Sequence, residues 1–123
     1  MQVKARVLVV EDDLANQQTL SALLAQMGHT PTVADHGDEA LRLLHTPLEL
    51  DLIISDIVMP GMNGIDFAER ARLARPGMPI VLVTGDSAAM ESVLASGALA
   101  LLKPYSPDTL RQVVGESLEH RNG

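Results

Sequence analysis

Short apolar runs suited to strands alternate with helical patterns five times along this chain, and that rhythm leaves few folds open. Residues 5–10 form a compact run rich in valine. Leu20, Leu23, Leu24 and Met27 then recur at i, i+3, i+4 and i+7, one buried face of a helix, with Gly28 as its stop. Residues 30–35 make a weaker strand, followed by a short helix over 37–45 with Ala40, Leu41 and Leu44 inward. A third strand covers 51–55. The loop Pro60-Gly61-Met62-Asn63-Gly64 follows, and Asn63 can cap a helix carrying Ile65, Phe67, Ala68 and Ala71. Residues 79–83 read as the fourth strand, 87–96 as a helix ended by Gly97, and 99–102 as the fifth strand. Ser106 caps the last helix, with Pro107 at its first position and Leu110, Val113, Val114 and Leu118 as its apolar stripe.

Apolar strands alternating with helices imply a parallel sheet covered on both faces, with right-handed crossovers. Pro31 lacks the amide hydrogen that a ladder needs, so its strand belongs at an edge or begins there. A doubly wound order of 2-1-3-4-5 agrees with this, since it puts the second strand at an edge. The expectation is therefore one α/β domain over residues 1–123, with a polar tail at 119–123 that frays. Apolar residues at 46% suffice for a core. The longest apolar runs, 7–10 and 99–102, are too short to span a membrane, and nothing near Met1 resembles a signal peptide. The absence of cysteine excludes disulfides, zinc–thiolate sites and cysteine nucleophiles, and a cytoplasmic setting is the simplest expectation. A net charge of −7 argues against direct binding to nucleic acid.

In an open parallel sheet, ligands bind beyond the carboxyl ends of the strands. Glu11, Asp12 and Asp13 follow the first predicted strand, Asp56 the third, Thr84 the fourth, and Lys103-Pro104 the fifth. Strands 1, 3, 4 and 5 are contiguous in the proposed order, so these residues can converge. Carboxylates brought together repel one another: a pair about 4 Å apart costs roughly 4 kcal/mol at an effective dielectric of about 20. Protonation or a cation relieves this, and oxygen donors without histidine or cysteine suit a hard ion such as Mg²⁺. A carboxylate can also attack phosphorus, a transfer that needs little beyond positioning and charge neutralisation. Asp56 could be that nucleophile, with Lys103 and Thr84 on the phosphoryl oxygens. Taken singly these residues are ordinary: Glu11-Asp12 can be a solvated turn, Thr84-Gly85 a common turn, and Lys103 a surface lysine.

Four segments together carry a resemblance. Val9-Val10-Glu11-Asp12-Asp13, Asp56-Ile57-Val58-Met59-Pro60-Gly61-Met62-Asn63-Gly64, Val83-Thr84-Gly85 and Leu102-Lys103-Pro104-Tyr105 resemble the receiver domains of two-component signalling, in order and spacing over nearly the whole chain. The resemblance implies a flavodoxin-like (βα)5 fold with strand order 2-1-3-4-5, and Asp56 as phosphoacceptor. It implies Mg²⁺ held by Asp12, Asp56 and the backbone carbonyl of Val58, with Glu11 acting through water. Thr84 and Lys103 would hold the phosphoryl group, and the Lys103–Pro104 bond would be cis. Asp13 is expected to cap the first helix. The implied donor is a histidine kinase or a histidine phosphotransfer protein. The implied recipient of the signal is a downstream protein or a covalently attached domain. Asn16-Gln17 resembles receivers attached to hybrid histidine kinases.

The sequence also departs from the family. Many receivers carry Tyr or Phe three residues before the lysine, and here Ala100 stands there, so the usual aromatic switch is absent. Phe67 and Tyr105 are the only aromatic residues. Tyr105 fits the aromatic common after Lys-Pro. His29, His36, His45 and His120 read as surface residues, and Met59 and Met62 as packing for the loop. The expected activity is self-phosphorylation with slow self-dephosphorylation rather than turnover of a substrate. Two other uses are conceivable. A Mg²⁺-dependent phosphatase forming an aspartyl phosphate would turn over phosphate esters, but such enzymes place the nucleophile after the first strand and add a cap domain. A phosphorylation-independent interaction domain would have no need of Glu11, Asp12, Asp56, Thr84 and Lys103.

Overall fold

The computed structural model describes residues 4–120. Five parallel strands, β1 (Arg6–Val10), β2 (Thr30–Ala34), β3 (Leu52–Asp56), β4 (Ile80–Thr84) and β5 (Leu99–Leu102), lie in the order β2-β1-β3-β4-β5. Helices α1 (Leu14–Gln26), α2 (Gly37–Leu44), α3 (Gly64–Ala74), α4 (Met90–Ala95) and α5 (Pro107–His120) make the crossovers. The fold is the flavodoxin-like (βα)5 arrangement expected from the sequence, and Pro31 sits on the edge strand β2 opposite Val7.

Successive strand residues point to opposite faces, so continuous apolar strands feed two cores. Leu8, Val10, Ile53, Leu82 and Phe67 pack on the side of α2, α3 and α4. Val7, Val9, Ile54, Val81, Val83 and Leu101 pack with Leu20 and Leu24 of α1 and with Leu110 and Val114 of α5. The helix starts are capped as their residue types require. Asp13 accepts from the Asn16 N–H at 2.9 Å, Asn63 from Asp66 at 2.9 Å, and Ser106 from Thr109 at 3.1 Å. At the far ends, Gly28 and Gly97 take φ of 92° and 86°, where a side chain would be strained.

Several boundaries move. Strands β3 and β4 run one residue further than the apolar pattern suggests, so Asp56 and Thr84 end their strands rather than follow them: Asp56 pairs with Val83 and Thr84 with Leu102. Backbone pairing ignores side-chain polarity, and only the apolar pattern stops earlier. The fourth helix is not one element over 87–96. A 3-10 turn, Ser87–Ala89, is tightened by the Asp86 carboxylate accepting from the Ala88 N–H at 2.9 Å, and the six residues of α4 follow with Val93 alone buried. Helix α5 continues through Glu119 and His120, where a frayed tail is expected; the rest of that tail lies outside the described residues.

Candidate functional site

Strand register assembles the site. Val10 lies beside Ser55, Asp56 beside Val83 and Thr84 beside Leu102, so the residues that end or follow β1, β3, β4 and β5 share one edge of the sheet. The Lys103 N–H donates to the Thr84 carbonyl at 2.8 Å, which continues the ladder to the lysine.

Glu11, Asp12 and Asp56 each offer a carboxylate oxygen, and these oxygens lie within 4.8 Å of one another. Glu11 is buried, Asp56 half-buried and Asp12 exposed. The Lys103 ammonium donates to Asp56 Oδ2 at 3.3 Å and lies 3.9 Å from Glu11 Oε1. Burial pushes the Glu11 carboxyl above its ordinary value. The Asp13 N–H, donating to Glu11 Oε2 at 3.1 Å, works against this; the charge of Asp56 and a hydrogen bond with Asp12 add to the rise, and Lys103 lowers it. Lys103 thus lies against two of the three clustered carboxylates, Asp56 and Glu11.

Thr84 is buried, and its Oγ1 accepts from the Asp86 N–H at 3.0 Å, which ties the end of β4 to the turn before α4. Val58 lies in the loop after β3 and is 80% exposed. The Lys103–Pro104 peptide is cis. Tyr105 packs on the α1–α5 side and lines a groove of about 490 Å³ together with Glu11, Asn16, Leu20, Asp56 and Lys103. Burial pushes the Tyr105 phenol above its usual value, and the charges of Glu11 and Asp56 push the same way. Ala100 is half-buried beside Leu82 and packs on the α2–α4 side.

Three residues carry more structure than their sequence signal suggests. Gly64 donates to the Ile57 carbonyl at 2.7 Å, and a Cβ there would collide with the Asp56 carbonyl oxygen and stand 2.7 Å from Ile57 Cα. Read only as a loop glycine, it lets the chain pass directly against the backbone of Asp56. Gln17, on the apolar face of α1, is buried and hydrogen-bonded to the acidic turn. His29 corrects the surface reading: it is half-buried, and its Nδ1 accepts from the Ala5 N–H at 3.0 Å. Its signal was its place after a helix-ending glycine, where the backbone turns back toward β1. His36 is exposed and caps α2 through Glu39, His45 is exposed, and the His120 side chain falls outside the described part of the chain. Met59 is buried, taking a contact from Ser55 Oγ at 3.8 Å, and Met62 packs on the same core.

The family model for the response regulator receiver domain matches residues 7–115. The chain is 32% identical over 118 residues to the transcriptional regulatory protein GlrR of Escherichia coli K12, covering 94% of this chain and 26% of GlrR. It is 36% identical over 111 residues to the DNA-binding response regulator MtrA of Mycobacterium tuberculosis H37Rv, covering 88% of this chain and 48% of MtrA. The chain thus spans between a quarter and a half of these relatives. Among solved structures, the chemotaxis protein CheY4 of Vibrio cholerae superposes with a TM-score of 0.84 at 31% identity, covering 94% of this chain and all of that one. The response regulator TrrA of Thermotoga maritima, solved with Mg²⁺ and BeF, superposes with a TM-score of 0.84 at 29% identity over 93% of this chain and 99% of that one.

Proposed function

The chain belongs to the response regulator receiver domain family, and on that premise we propose that it is the phosphoacceptor of a two-component phosphorelay, with Asp56 as the residue modified. The observation that carries this is the Lys103–Asp56 contact at 3.3 Å beside the convergent carboxylates of Glu11 and Asp12. One carboxylate oxygen of Asp56 attacks the phosphorus of a phosphohistidine. The new O–P bond forms as the P–N bond breaks, and the bonding pair stays on the imidazole nitrogen. The Lys103 ammonium and the Thr84 hydroxyl donate to phosphoryl oxygens, where charge-assisted bonds are strong.

The donor set fits a divalent cation, because the three clustered carboxylates offer hard oxygens and Lys103 lies against only two of them, Asp56 and Glu11. Asp12, Asp56 and the Val58 carbonyl would hold Mg²⁺, with Glu11 reaching it through water. When bound, the ion supplies positive charge to the phosphoryl oxygens. The activity is that of a signalling module: self-phosphorylation, slow self-dephosphorylation and a changed partner surface.

A histidine kinase or histidine phosphotransfer protein is the donor in this reading, and a downstream protein or attached domain receives the signal. Direct contact with nucleic acid or a membrane is not part of it. No helix among the described residues is long and apolar enough to cross a membrane, and the setting proposed is the cytoplasm. The test is intact-mass analysis after a small phosphodonor with Mg²⁺. Wild type should gain one phosphoryl group and Asp56→Asn none. Equal labelling of both removes the proposal.

A further inference from the structure

Helix α1 turns the amide side chain of Gln17 into the core. Gln17 lies one turn before Leu20 and two before Leu24 on the buried face, and is 8% exposed. An apolar residue would suit that position, and a buried amide is tolerated only when its hydrogens find partners. Gln17 Nε2 donates to the Glu11 backbone carbonyl at 2.5 Å and to Asp35 Oδ1 at 2.7 Å. A carbonyl and a carboxylate can only accept, so the nitrogen and not the amide oxygen must face them, and both hydrogens are used.

The Glu11 carbonyl belongs to the peptide that joins Glu11 to Asp12. Turning that peptide would swing Asp12 away from Asp56. Around it, the Asp13 N–H donates to Glu11 and the Asn16 N–H to Asp13, and the Lys103 ammonium lies 3.9 Å from Glu11 Oε1. The Glu11 N–H donates to the Ala34 carbonyl at 3.1 Å. Among the described residues, Gln17 is the one side chain that ties this acidic turn to the junction after β2. We propose that Gln17 is a positioning residue for cation binding: its amide locks the Glu11–Asp12 peptide against Asp35, and so presents Asp12 beside Asp56. This rests on the reading of the site as Mg²⁺-dependent. Outer partners of metal ligands typically change affinity by about 10–100-fold.

Calorimetric Mg²⁺ titration of wild type and Gln17→Met tests it, well below the melting temperature of either. Methionine fills nearly the same space without the donors. Gln17→Met should bind Mg²⁺ about tenfold more weakly. It should need correspondingly more Mg²⁺ for phosphorylation and reach the wild-type rate at saturation. A structural role alone would lower the melting temperature and leave the affinity unchanged, and equal affinity overturns the proposal. Should Gln17→Met fail to fold, NMR on wild type decides. The Gln17 side-chain amide pair should shift with Mg²⁺ along the same curve as the Asp12 amide, and an unmoved pair overturns the proposal. A wild type that neither binds Mg²⁺ nor takes a phosphoryl group overturns the site reading itself, and this inference with it.

Discussion

At the scale of single residues, Gly64 and His29 are the most exposed to test. A methyl group at position 64 has no room, because the obstacle is the backbone of Asp56 and Ile57 rather than the end of a flexible side chain. Gly64→Ala should cost roughly 1–3 kcal/mol, the usual range for overpacking, and should slow phosphorylation by shifting Asp56. Urea denaturation and phosphodonor labelling of the same variant read both effects. His29 gives a pH dependence. Burial holds its pKa below the ordinary value of 6.5, against the pull of Asp51, and its Nδ1 must stay unprotonated to accept from Ala5. Because the folded value is the lower one, the unfolded chain takes up the proton first as pH falls. The His29 contribution is therefore complete above pH 6.5 and is lost as pH drops through the folded value. Urea midpoints compared at pH 7.5 and pH 5.5 should show a smaller drop for His29→Asn than for wild type.

At the scale of elements, the segment between β4 and β5 is the weakly held one. Its 3-10 turn buries nothing, and α4 buries one residue, Val93. Thr84 is bonded directly to that turn through Asp86. An output needs contacts that differ between two states, and Ala100 offers no ring to reorient. Movement of the Thr84 hydroxyl toward a phosphoryl oxygen should therefore disturb the Asp86 contact and the start of α4, while β5 stays in register. With Mg²⁺ and beryllofluoride standing in for the phosphoryl group, the largest amide shifts should fall at residues 85–91 and around Asp56. Larger shifts at 99–101 would contradict this account of the switch.

For the whole molecule, charge and cation linkage matter. Glu11, Asp12 and Asp56 cluster together with Lys103 against only Asp56 and Glu11, so a ligand that binds only the folded state should stabilise it by mass action. Mg²⁺ at about 100 times its dissociation constant should add about 2.7 kcal/mol and raise the melting temperature. Asp12→Ala should show a smaller rise in the same calorimetric scan. With a net charge of −7, this chain alone should give no salt-sensitive complex with DNA in a shift assay, whatever segments accompany its relatives.

Fold and site were legible to different depths. The alternation of apolar runs with i, i+3, i+4 patterns, the caps Asp13, Asn63 and Ser106, and Pro31 at an edge are local signals, and local sterics and hydrogen bonding act on them directly. They determine the five β-α units, and with the four motifs they single out Glu11, Asp12, Asp56, Thr84 and Lys103 from the sequence alone. What lay beyond reach depends on approach between distant segments. Gln17 falls on the same helix face as Leu20 and Leu24, but its partners are defined only when the Asp35 carboxylate and the Glu11 carbonyl arrive from two other segments. Gly64 looks like a turn residue until α3 starts against the backbone of Asp56. His29 looks exposed until β1 and β2 pair and bring Ala5 to it. Each is defined by a partner between 6 and 24 positions away in the chain, and no periodicity or propensity encodes a partner of that kind. Only packing the helices on the twisted sheet decides which polar atoms meet.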